Sequence, residues 1–198
     1  MTGLLLLTLL LSSCAERYVF NGRVIPDETI AYDIIGVDTK NQPFRLSDQR
    51  GRYVLLNFGY TFCPDICPLT LVELKSAYTK LLTQAKVTPE EIVVVFVTVD
   101  PARDTLDKLG PYVNAFHPDF YGVYIADEAE LEKMLNEYKV VARKRYQPGP
   151  NDTVTYLVDH SGGIFVIDPN GVQRLYFAHN LGVDKIVADL AYLLNKRS

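Results

Sequence analysis

The chain has 198 residues, 48% of them hydrophobic and 22% charged, with a formal net charge of −4. That length suits one domain able to bury a real core, and the balance is that of an ordinary globular protein. No basic stripe is present, which argues against a nucleic-acid partner.

The first residues, MTGLLLLTLLLSSC, form an apolar run ending in two serines and Cys14. The run is too short to span a bilayer, which takes about 20 apolar residues, and the small residues after it fit an export signal. Leu11-Ser12-Ser13-Cys14 resembles a bacterial lipobox, although no Lys or Arg precedes the run. The resemblance implies a signal peptide over 1–13, cleavage before Cys14 and a lipid on that cysteine. The protein is then expected to be exported and anchored to a membrane, facing the periplasm or the cell exterior. With Cys14 acylated, Cys63 and Cys67 are the pair left in an oxidising compartment, which invites a disulfide.

Residues 14–32 read as lipid anchor and tether, and residues 33–198 as the folded domain. YDIIGVDTKNQPFRLSD predicts two short strands joined by a polar turn. YVLLNFGY, residues 53–60, has the continuous apolar character of a strand buried on both faces. A helix follows, with Leu71, Leu74, Tyr78, Leu81 and Leu82 at helical spacing. EIVVVFVTVD predicts a second buried strand, and residues 104–116 a weaker helix interrupted at Gly110-Pro111. FYGVYIA reads as a third strand, and DEAELEKMLNEYKVV as a strong helix with acids in its first turn. ARKRYQPGPNDTV, basic and then rich in Pro and Gly, predicts an exposed loop. TYLVDH is a strand, and GGIFVIDPNGVQRLYFA a hairpin turning at DPNG. VDKIVADLAYLLNKR closes the chain as an amphipathic helix. Strands alternating with helices, then a hairpin and a last helix, predict an α/β mixed sheet with helices on both faces. With a dithiol between the first buried strand and its helix, the order is thioredoxin-like, preceded by an N-terminal strand pair.

The chemistry centres on NFGYTFCPDICPLTL. Cys63 and Cys67 stand where a buried strand ends and a helix begins, the place where open α/β sheets bind ligands. The helix dipole there lowers a thiol pKa, and Pro64 and Pro68 suit a first turn. The spacing is CxxxC, not the CxxC of thioredoxin-type redox pairs. Residues four apart on a helical turn share a face, with Cα atoms roughly 6 Å apart, a separation that a disulfide tolerates. The pair can therefore oxidise, exchange a disulfide or hold a soft metal such as Cu(I) or Zn. Of the three histidines, His117 reads as a surface residue and His179 as a cap or surface group. His160 ends a strand where thioredoxin-like proteins usually carry a cis-proline, so the predicted fold brings it across from the cysteines. Asp159 points to the opposite face of its strand and is expected to find another partner. Asp100, Pro101, Arg103 and Asp104 read as a strand end and helix cap, with Asp104 and Thr105 as N-cap types, and the Arg143–Arg145 run as an exposed rim beside His160.

Three segments together, FGYTFCPDICPLTL, VFVTVDPARDT and YLVDHSGGIFVIDPNG, resemble the Sco/SenC family of copper chaperones from about residue 33 onward. The resemblance implies a thioredoxin-like fold and one copper ion, Cu(I) or Cu(II), held by Cys63, Cys67 and His160. It also implies delivery of copper to the dinuclear copper site of cytochrome c oxidase, or reduction of the cysteines there, with that oxidase subunit or another copper client as partner. An alternative from the same dithiol is a thiol–disulfide oxidoreductase with Cys63 and Cys67 as its redox pair, or a copper or redox sensor.

Overall fold

The computed structural model describes residues 18–26, 29–85, 87–148 and 154–196. In chain order the elements are β1 (Arg23–Val24), β2 (Ile35–Asp38), β3 (Pro43–Arg45), β4 (Tyr53–Gly59), α1 (Ile66–Gln84), β5 (Ile92–Thr98), α2 (Leu106–Phe116) and β6 (Tyr121–Tyr124). They continue with α3 (Glu128–Glu137), β7 (Ala142–Pro148), β8 (Val154–His160), β9 (Ile164–Ile167), β10 (Gln173–Phe177) and α4 (Val183–Asn195). Eight strands make one mixed sheet in the order β1-β10-β9-β4-β5-β6-β2-β3, and β7 with β8 forms a separate two-stranded ribbon. β4, β5 and β6 run parallel, while β9 lies antiparallel along the other side of β4.

Every residue of β4 and β5 is buried, because side chains alternate between two packed faces. Tyr53 and Leu55 meet α1, α2 and α4 through Leu71, Leu74, Leu109, Val113, Ile186 and Leu190. Val54, Leu56 and Phe58 meet Leu131, Met134 and Tyr138 of the α3 region, together with Val158 of β8. The expected helices on both faces are thus present. Asp127 caps α3 by accepting from the N–H groups of Ala129 and Glu130, and the DPNG turn places Gly171 at φ +77°, which a glycine adopts without strain. Among the described residues no helix is long and apolar enough to cross a membrane.

Three expectations are corrected. Residues 18–26, read as part of a tether, pack on the domain: β1 pairs with β10, and the fully buried Asp189 of α4 accepts from Tyr18 Oη, from both nitrogens of Asn21 and from Gly22 N–H. A buried carboxylate requires such donors, and none lies close to it in sequence. α2 runs unbroken through Gly110-Pro111, since Leu109 and Val113 are buried on either side and hold the turn despite one lost hydrogen bond. ARKRYQP is strand β7, in full antiparallel register with β8 from Ala142↔His160 to Pro148↔Val154. Its side chains are mostly exposed, so no apolar alternation marked it; backbone pairing makes the strand. Cys14 and the rest of the leader lie outside the described residues.

Candidate metal centre

β4 delivers the chain to the dithiol. Its last residue, Gly59, has no side chain because none fits: a Cβ there would stand 2.9 Å from Cys67 Sγ and 2.7 Å from the Phe96 ring. Cys63 follows in a turn, its N–H bonded to the Tyr60 carbonyl, and Cys67 is the second residue of α1. Pro68 falls in the first helical turn as expected, where its missing N–H leaves one donor fewer to satisfy; Pro64 precedes the helix. Asp65 at the N-cap makes no side-chain cap bond. Cys63 Sγ takes that part instead, accepting from the Cys67 N–H at 3.4 Å. The sulfur thus stands where a capping oxygen usually does, and negative charge on it is favoured by the helix terminus.

His160, at the end of β8, closes the group from the opposite side. Its Nε2 lies 3.0 Å from Cys67 Sγ, and its Nδ1 is 3.2 Å from the Ser161 carbonyl. A carbonyl only accepts, so the ring proton belongs on Nδ1 and the Nε2 lone pair faces the sulfurs. The ring of Tyr60 meets the imidazole edge to face at 5.6 Å. The three donor atoms all lie within 4.8 Å of one another.

The two thiols are free and differ in electrostatics. Hydrogen bonding from the Cys67 thiol first, and from backbone N–H groups after it, holds the half-buried Cys63 down at about 4 against the cost of its burial. Cys67, 1% exposed, is pushed far up because its proton is shared with Cys63 and because it is buried. The reduced pair at neutral pH is therefore a Cys63 thiolate beside a Cys67 thiol. Two sulfurs and an imidazole nitrogen are a soft donor set that suits Cu(I) or Zn, not Mg or Ca.

The SCO1/SenC family model matches residues 27–195. The chain belongs to this family. It is 36% identical over 155 residues to the mitochondrial SCO2 homolog of mouse, covering 78% of this chain and 58% of that protein. Among solved structures, the apo Sco1 protein of Thermus thermophilus is 36% identical, covers 90% of this chain and 99% of its own, and has a TM-score of 0.75. The copper-bound ScoI of Arabidopsis thaliana is 28% identical, covers 84% of this chain and 99% of its own, and also superposes at 0.75. The fold is the thioredoxin-like α/β fold of these Sco proteins.

In this SCO1/SenC member the VDPARDT segment does more than end a strand. Thr105, not Asp104, is the N-cap of α2 and makes no side-chain cap bond. Asp104, fully buried, reaches instead to the cysteine loop: it accepts from Thr61 N–H at 2.9 Å, Thr61 Oγ1 at 2.6 Å and Thr98 Oγ1 at 2.7 Å. Asp100, also fully buried, accepts from Arg103 Nε at 2.5 Å and from Tyr156 Oη at 2.9 Å. The available signal was two acids and an arginine at the mouth of an otherwise apolar strand.

Of the remaining residues, His117 departs from its reading as a surface group, its side chain being only 22% exposed. Asp159 pairs with Arg145 on the ribbon surface. His179 is exposed and touches Thr70 Oγ1. His117 accepts from the Asp119 N–H and packs on Tyr78 and Phe120. Arg143 to Arg145 lie on β7, whose first residue is opposite His160.

Proposed function

We propose that this chain is a copper carrier whose ligands are Cys63, Cys67 and His160. The supporting observation is the convergence of two sulfurs and an imidazole nitrogen within 4.8 Å, in a chain similar to a copper-bound ScoI. Copper as cargo meets one thiolate already formed; loading displaces the remaining proton from Cys67, so uptake releases a proton and weakens in acid. The cargo is delivered to the dinuclear copper site of cytochrome c oxidase, which needs reduced cysteines to accept it. A lipid on Cys14 holds the exported domain at the membrane.

A second reading is a thiol–disulfide reductase, favoured by the asymmetry of the pair. Cys63, the accessible thiolate, attacks a client disulfide and releases one client sulfur; Cys67 then gives up its proton, attacks the mixed disulfide and frees the other. The two readings separate at His160. Copper stoichiometry and affinity, measured anaerobically on reduced protein with and without His160→Ala, are expected to show one copper per chain and strong dependence on His160. Weak uptake indifferent to that substitution, together with fast disulfide exchange, would select the reductase.

A further inference from the structure

His160 belongs to a ribbon that is not hydrogen-bonded into the main sheet, yet its Nε2 is held 3.0 Å from a sulfur delivered by that sheet. The segment after it gives little direction, being Ser161-Gly162-Gly163, with Gly163 tied back through its carbonyl to Asn57 Nδ2. The strand before it is gripped. Tyr156, Val158 and His160 alternate along β8 and so share one face. Val158 is 5% exposed and donates its N–H to Tyr60 Oη at 3.1 Å.

Tyr156 is held by a closed set of contacts from the loop between β5 and α2. Arg103 donates through Nε to Asp100 and through Nη1 to the Tyr156 carbonyl at 2.7 Å. Its guanidinium lies 3.6 Å from the Tyr156 ring centroid, and Tyr156 Oη completes the set on Asp100 Oδ1. Asp100 belongs to the chain just beyond β5, which pairs residue for residue with β4, the strand that leads into the cysteine loop. One carboxylate and one guanidinium therefore join the strand that aims the imidazole to the sheet that delivers the sulfurs.

We infer that Asp100 and Arg103 are positioning residues for His160, fixing the β8 strand so that Nε2 meets Cys67 Sγ. The role needs arginine: two donors leave the planar fork in different directions while its face covers Tyr156, which a lysine ammonium cannot reproduce. The inference rests on the copper reading above, and its test separates the two.

Copper affinity is measured by competition with a Cu(I) chelator on the full chain in detergent, for Arg103→Lys with His160 present and in the His160→Ala background. The ring-current shift that Tyr60 imposes on His160 is read by NMR in the copper-free protein. Arg103→Lys is expected to lower affinity about ten- to a hundredfold, the scale of lost ligand orientation, and to erase the shift. In the His160→Ala background it is expected to change affinity less than about twofold, since the effect runs through the imidazole. No loss in the first background, or equal loss in both, overturns the inference. A chain that takes up no copper, or takes it up regardless of His160, defeats the copper reading, and the ring-current shift then decides the positioning role alone. Should Arg103→Lys fail to fold, Tyr156→Phe removes only the hydroxyl on Asp100. A milder, His160-dependent loss from it supports the latch, and an unchanged affinity overturns it.

Discussion

The cysteine-bearing loop and the histidine-bearing ribbon meet at the sulfurs, but they are held by different amounts of structure. The loop leaves the middle of an eight-stranded sheet. Its strand is buried on both faces, and Asp104 fastens Thr61 with two hydrogen bonds. The ribbon is a lone pair of strands whose β7 residues are mostly exposed. It joins the domain through Val158, Tyr156 and the Arg103–Asp100 pair. An isolated pair of strands is marginal in water, so the ribbon depends on those attachments. The dithiol is the fixed half of the site and the imidazole the attached half.

The sharpest way to break the fixed half is Asp104→Ala. It removes a buried carboxylate that accepts three hydrogen bonds, at a cost of about 3 kcal/mol or more for the donors left without a partner. Denaturant melts should show the loss, and Cys63 should be displaced with Thr61. A variant as stable as the original would mean that the loop does not need this anchor.

Gly59→Ala is expected to cost about 1–3 kcal/mol by overpacking, because its methyl group meets Cys67 Sγ and the Phe96 ring. Copper affinity should fall with it, since the displaced atom is a sulfur of the site. Retained affinity in a destabilised variant would separate the packing from the ligand geometry.

A pH profile sharpens the contrast further. Cys63 is held at about 4, against roughly 8.5 for a thiol in the unfolded chain. Between those values the unfolded chain binds more protons, so stability of the reduced, metal-free domain should rise with pH. Above them the unfolded chain gives up both protons while Cys67 keeps its own, and stability should fall. Thiolate absorbance should disappear on acidification with a midpoint near 4. Urea melts at pH 5, 8 and 10 should peak at the middle value, and a monotonic series would count against the shared proton.

The smallest effect is expected on the ribbon surface. Arg145 and Asp159 form an ion pair with both side chains more than half exposed, at 57% and 58%. Arg145→Ala should change stability by less than about 1 kcal/mol and leave copper affinity unaltered. A large loss of affinity would show that this rim also holds His160 in place.

The sequence alone was enough to read the parts whose signal is local. Apolar continuity marked β4 and β5, helical spacing marked α1, and DPNG marked the β9–β10 turn. Two cysteines at a strand-to-helix junction located the dithiol, because the end of a buried strand and a helix N-terminus both leave their trace in neighbouring residues. His160 came into view only through the predicted fold. Tertiary structure decided the rest. β7 is mostly exposed on both sides, so only its pairing with β8 reveals it as a strand. Asp189 is satisfied by Tyr18, Asn21 and Gly22, residues far away in sequence, which turns part of an expected tether into packed structure. Asp100, Arg103 and Asp104 have side chains suited to a helix cap or to a tertiary clamp. Their partners Thr61 and Tyr156 lie on other segments, and a hydrogen bond between distant segments leaves no periodic mark in the chain. Residue type and spacing set which groups were available to the site; long-range packing set which of them meet.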